Sequence, residues 1–175
     1  MRLNQFLKED QVALDFAPTL PSRPEDEDPD SPPSPRQLWA EKEAILEALV
    51  ALLEKSQKVG NRKKLLNDLV NRERKATTGL GNRIALPHVR TPNAKGFAMA
   101  VALVRSGDGL GFDSVDGEPV RVLIAMVAPA YDDRFYTKVE RDLASAFARG
   151  PALVDELLAA ASPGEVIRIL SRETG

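Results

Sequence analysis

The chain's one histidine, His88, closes the stretch Thr77-Thr78-Gly79-Leu80-Gly81-Asn82-Arg83-Ile84-Ala85-Leu86-Pro87-His88, in which hydroxyls, glycines and a proline converge on it. An imidazole that is largely neutral near pH 7 offers a ring nitrogen as base, ligand or nucleophile. Pro87 has no N–H, fixes its own φ and biases Leu86 toward extended backbone, so the histidine follows a stiff corner. Gly79 and Gly81 let backbone come close to a bound group, and Thr77 and Thr78 can donate hydrogen bonds to an anion. Other chemistries lack their residues. Cysteine is absent, which removes disulfides and thiol catalysis, and a lone histidine without cysteine speaks against zinc. Gly79-Leu80-Gly81 has no third glycine and precedes a strand, so it is not a dinucleotide fingerprint. Asp108, Asp113 and Asp116 lack calcium-loop spacing and read as turn formers. Neither Ser106 nor Ser114 has the context of a nucleophile elbow.

Extended upstream through Leu69-Val70-Asn71-Arg72-Glu73-Arg74-Lys75-Ala76, the stretch resembles the active-site signature of the IIA proteins of the bacterial phosphoenolpyruvate-dependent phosphotransferase system, in the fructose, mannitol and nitrogen-regulatory class. In that class Arg-Glu leads to Thr-Gly-hydrophobic-Gly and a short strand ending in Pro-His, and the histidine carries a phosphoryl group. Residues 97–105, 112–119 and 122–129 read like the strands that follow in the family, and residues 164–171 like its terminal helix. The resemblance covers about three quarters of the chain and leaves residues 18–37 outside it.

That resemblance implies an α/β protein, a single domain over residues 1–175 whose mixed β-sheet is sandwiched between helices in the mannitol-type IIA fold. It implies His88 as phospho-acceptor and Arg72, sixteen positions earlier, as a bidentate holder of phosphoryl oxygens. Thr78, directly before Gly79, is the implied hydroxyl of the site. The family's second histidine stands at the start of a helix after a strand ending in proline, and counting seven residues from Pro129 reaches Tyr136 instead. A phenol can donate to a phosphate oxygen or to the His88 ring but does not become a cation at neutral pH.

The residue types suit the implied chemistry. A phosphoryl group on an imidazole nitrogen is a high-energy phosphoramidate that can pass between histidines with little free-energy loss, through a loose in-line transition state governed by alignment and electrostatics. The expected function is a phosphotransferase-system carrier that accepts phosphate on His88 from a histidine phosphocarrier (HPr-like). It then passes the phosphate to a sugar-specific IIB protein or signals a regulatory target by its phosphorylation state. With no adjoining IIB or membrane sequence in these residues, the expectation leans to the regulatory branch. The alternative is a regulatory or binding module that keeps the fold without efficient transfer, because Tyr136 replaces the second histidine. No cofactor and no metal are expected.

The elements that must position these groups follow from periodicity. Residues 1–9 read as a short helix and 11–16 as an edge strand. Residues 18–37 read as a flexible loop insertion, acidic and rich in proline, with too little apolar surface to order itself. Residues 38–57 form a helix with Leu38, Ile45, Leu49 and Leu52 on one stripe and Trp39 as an anchor, followed by a helix over 61–72. Residues 97–104 and 120–127 are near-continuous apolar runs, as in strands covered on both faces. Helices follow over 134–149, 151–161 and 163–172, the last two starting at proline.

A length of 175 residues fits one domain with a full core. From Lys58 to Arg90 nine basic residues stand against two acidic ones, within a net charge of -2. Without interleaved aromatics this stretch reads as a solvated helix face rather than a nucleic-acid site. The first ten residues lack a signal-peptide core and no apolar run has the length of a membrane span. A cytoplasmic location without membrane insertion is expected.

Overall fold

The two continuous apolar runs form the centre of the sheet. In the computed structural model, which describes residues 2–131 and 134–175, they are strands β5 (Ala98–Leu103) and β6 (Val122–Ala128). The two pair antiparallel, with Ala98 opposite Val127 and Leu103 opposite Val122, and every residue of both is buried. Side chains alternate across a strand, so each run supplies two cores. Met99, Val101, Leu103, Ile124 and Met126 pack on one face with α3 (Arg134–Ala148), α4 (Ala152–Leu158) and α5 (Pro163–Glu173). Ala98, Ala100, Ala102, Leu123 and Val127 face α1 (Pro35–Glu54) and α2 (Arg62–Lys75). The alanine row is short, which lets α1 lie directly against β5.

The remaining strands make the sheet mixed. Its order is β1 (Val12–Ala13), β5, β6, β3 (Ile84–Ala85), β2 (Gly79–Gly81), and β4 (His88–Arg90) also pairs with β6. β1 runs parallel to β5, while β3 and β4 run parallel to β6. β2 and β3 form an antiparallel hairpin through Asn82 and Arg83, both at positive φ. The result is the expected α/β layer arrangement, a mixed sheet with helices on both faces.

Several elements differ from the sequence reading. Residues 1–9 are not one helix: two 3-10 turns, Leu3–Gln5 and Glu9–Gln11, replace it. The edge strand shrinks to Val12–Ala13, and the Gln11 side chain donates to the carbonyls of Phe6 and Met99 at 3.1 and 2.7 Å. Residues 112–119 form turns rather than a strand, with Asp113 and Gly117 at positive φ. The buried stripe of α1 is Ile45, Leu46, Leu49, Val50 and Leu53, rotated so that Leu38 and Leu52 lie only half-buried at its flanks. That helix begins at Pro35, with Ser34 Oγ accepting from the Gln37 amide, so residues 35–37 are its first turn. Among the described residues no helix is long and apolar enough to cross a membrane.

Candidate functional site

A break in a strand sets the position of His88. Ile84 and Ala85 lie opposite Val122 and Leu123 of β6, and His88 to Arg90 lie opposite Met126 to Ala128 in the same register. Between them Leu86 and Pro87 leave the ladder, as a residue without an N–H requires. The Leu86 amide instead donates to the Thr78 carbonyl at 3.0 Å, and the Pro87 carbonyl accepts from Met126 at 2.9 Å. The Leu86 carbonyl is thereby left for the histidine ring, whose Nδ1 lies 2.6 Å from it. A carbonyl can only accept, so Nδ1 carries the hydrogen and Nε2 is the nitrogen turned away from the backbone.

Nε2 opens on a cleft of about 290 Å³ lined by Arg72, His88, Val89, Arg90, Tyr136 and Glu140. Arg72 comes from the last turn of α2, where its Nη1 also donates to the Ala76 carbonyl at 2.9 Å. Tyr136, in the first turn of α3, is buried, with its ring centroid 6.1 Å from that of His88. The Arg90 guanidinium lies 5.9 Å from the same phenol ring. Burial, helped by the negative charge of Glu140, holds the Tyr136 proton well above the ordinary phenol range, while Arg90 and Arg72 pull the other way. One turn further along α3, Glu140 Oε1 lies 3.0 Å from His88 Nε2.

Beneath the loop lies a second polar cluster, closed to water. The Glu73 carboxylate accepts from Lys42 Nζ at 3.0 Å, the Thr78 amide at 2.8 Å and the Thr78 hydroxyl at 2.6 Å. The Lys42 and Glu73 side chains are each 1% exposed. Lys42 Nζ also sits 4.8 Å from the ring centroids of both Trp39 and Phe112. Arg74 of α2 also lies over the Trp39 ring, 4.3 Å from its centroid, as expected of an anchor of α1 on α2. A continuous path of bonds therefore runs from Lys42 in α1 through Glu73, Thr78 and Leu86 to the His88 ring.

The structure thus brings His88, Arg72 and Tyr136 into one cleft and sets Thr78 apart from it. The Thr78 hydroxyl gives its hydrogen to Glu73, and Thr77 donates to the Phe112 carbonyl while accepting from Gly79. Sequence reasoning missed Glu140, Arg90 and the Lys42–Glu73 pair. Glu140 carried one usable signal, its place four residues after Tyr136 on the same helical face.

Comparison with known proteins is consistent with this geometry. Over 132 residues the chain is 30% identical to a PTS system fructose-specific EIIABC component of Bacillus subtilis, covering 75% of this chain and 20% of that protein. Over 91 residues it is 36% identical to a PTS system fructose-specific EIIA component of Haloferax volcanii, covering 52% and 58% of the two chains. The chain therefore spans less than two thirds of either relative. The crystal structure of nitrogen regulatory protein IIA-Ntr from Neisseria meningitidis shares the fold, with a TM-score of 0.76 at 24% identity over 96% of this chain and 98% of that one. A family profile described as phosphoenolpyruvate-dependent sugar phosphotransferase system, EIIA 2, matches residues 36–173, and the chain belongs to that family.

Proposed function

We propose that this EIIA-type protein is a cytoplasmic phosphohistidine carrier that takes a phosphoryl group on His88 Nε2 from a histidine phosphocarrier. It then hands the group to a IIB-type protein or reports its own phosphorylation state to a regulatory target. The observation that carries this reading is the 2.6 Å contact between His88 Nδ1 and the Leu86 carbonyl, which leaves Nε2 facing a cleft lined by two arginines. In the transfer, the Nε2 lone pair bonds to phosphorus as the donor's P–N bond breaks and its electron pair returns to the donor imidazole. Nδ1 keeps its hydrogen against Leu86, so the positive charge that forms on the ring is stabilised in place. Arg72 and Arg90 draw in the phosphoryl oxygens, and Tyr136, whose proton is firmly held, serves as a neutral donor. The name of the Bacillus subtilis relative, which joins A, B and C components, supports a IIB-type acceptor.

A second reading, a module that keeps the site but relays slowly, is favoured by one observation. Tyr136 occupies the cleft as a neutral phenol where a protonatable ring would add positive charge. Intact-mass analysis with phosphoenolpyruvate, the general kinase and a phosphocarrier tests both. One acid-labile phosphate is expected, and His88→Gln abolishes it without unfolding the chain. Labelling that survives in His88→Gln, or none in the wild type with several phosphocarriers, overturns the carrier reading; labelling over hours rather than seconds selects the slow module.

A further inference from the structure

The Glu140 carboxylate occupies the one position on the His88 ring that a phosphorus atom must reach. Because Nδ1 already gives its hydrogen to Leu86, a hydrogen bond between Nε2 and Glu140 Oε1 at 3.0 Å needs a proton of its own between them. That proton holds the Nε2 lone pair, and a nitrogen whose lone pair is held cannot attack phosphorus. The carboxylate is also the wrong charge for an incoming phosphoryl group, whereas Arg72 and Arg90 in the same cleft attract it. Glu140 is nevertheless easy to move. Its side chain is 33% exposed, and its carboxylate is held by the His88 ring at the edge of the cleft. A rotation about its side-chain bonds takes it to water without disturbing α3.

We propose that Glu140 is a displaceable cap on the reactive nitrogen, bound to Nε2 in the resting chain and turned out to solvent before each transfer. This rests on the carrier reading above. The step balances: the proton between Nε2 and Oε1 leaves with the carboxyl and passes to water, and the freed lone pair then forms the N–P bond as the donor's P–N bond breaks. Once phosphorus is on Nε2, the returning carboxylate repels the phosphoryl oxygens. The cap therefore slows loading and shortens the life of the loaded state, and so favours release to a partner.

The test uses the full chain with phosphoramidate, a small donor that needs no docking surface, and with the phosphocarrier in parallel. Glu140→Ala should load His88 about three- to tenfold faster with both donors, since a third-exposed ionic hydrogen bond is weakened by solvent, and should lengthen the life of phospho-His88. Glu140→Gln, which keeps the shape and loses the charge, should lie between Ala and wild type. The chain has a single histidine, so ¹⁵N spectra of its ring read the cap directly: the hydrogen shared between Nε2 and Oε1 is expected in the wild type and its loss in Glu140→Ala. A bare Nε2 in the wild type, or equal or slower loading in Glu140→Ala, overturns the cap. No loading of wild type or variants by either donor overturns the carrier reading instead, and the ring spectra still judge the contact.

Discussion

Two glutamates bracket the signature loop, and they are held in opposite ways. Glu73 lies under the loop, 1% exposed, and satisfies an ammonium, an amide and a hydroxyl at once. Glu140 lies over the cleft, 33% exposed, with its carboxylate on one imidazole nitrogen. In a low-dielectric interior a charge that loses its partner has no water to replace it, so neither Lys42 nor Glu73 can give up the other without a large cost. At the rim water is an adequate substitute, so the Glu140 contact can form and break on demand. The same side chain is thus a fixed tie in one place and a movable one in the other, and the difference is solvent access rather than chemistry.

The strongest way to break this comparison is to remove one member of the buried pair. Lys42→Met or Glu73→Gln alone should destabilise the protein by about 3–5 kcal/mol in urea denaturation, because each strands an uncompensated polar group. The double substitution should recover most of that loss. Single variants that unfold like the wild type would place water in the cluster and erase the contrast with Glu140.

A smaller effect, on rate and not stability, belongs to the open end. Arg72→Lys keeps the charge but loses the planar fork, so transfer onto His88 should weaken by about 1.5–3 kcal/mol while the unfolding midpoint barely moves. Stopped-flow transfer kinetics beside a denaturation curve decide it, and a large stability change with normal kinetics would assign Arg72 to holding the fold rather than to the cleft.

Tyr136 spans the two regimes, buried yet lining the cleft, and its effect is the smallest. Its raised pKa means that the folded chain keeps a proton the unfolded chain releases above the ordinary value of 10.0. The phenol's contribution to stability is present below that pH and is lost as pH climbs through the alkaline range. Tyr136→Phe should flatten the alkaline loss of stability and cost about 1 kcal/mol or less at neutral pH, measured as melting temperature against pH. An unchanged alkaline slope would mean the phenol is hydrated in the native state.

The parts legible in the sequence were those set by short-range chemistry. Pro87, the glycines before it and the fixed distance back to Arg72 locate His88 without knowledge of the tertiary structure, and the count from Pro129 put Tyr136 beside it. What stayed hidden depended on partners brought in from other elements. Lys42 stands four residues after Leu38 and three before Ile45, on the apolar stripe of α1, but the carboxylate that pairs with it there belongs to α2. Glu140 had only its spacing from Tyr136 to mark it, and its contact with His88 follows from how α3 lies over β6. Thr78 shows the reverse error: a hydroxyl beside a glycine loop looks available to an anion until the partner that takes its hydrogen is known.

The order of the sheet also governs how the chain comes into being. β3, β4 and β5 all pair with β6, yet β6 begins only at Val122. On the ribosome, at about 5–20 residues per second, more than two thirds of the chain emerges before its central strand exists. Until then the apolar run of β5 has only the two residues of β1 beside it, and the histidine strand has no sheet to join. Such long-range pairing is slow, and a nascent chain stalled before Val122 would display sticky surface that chaperones must cover.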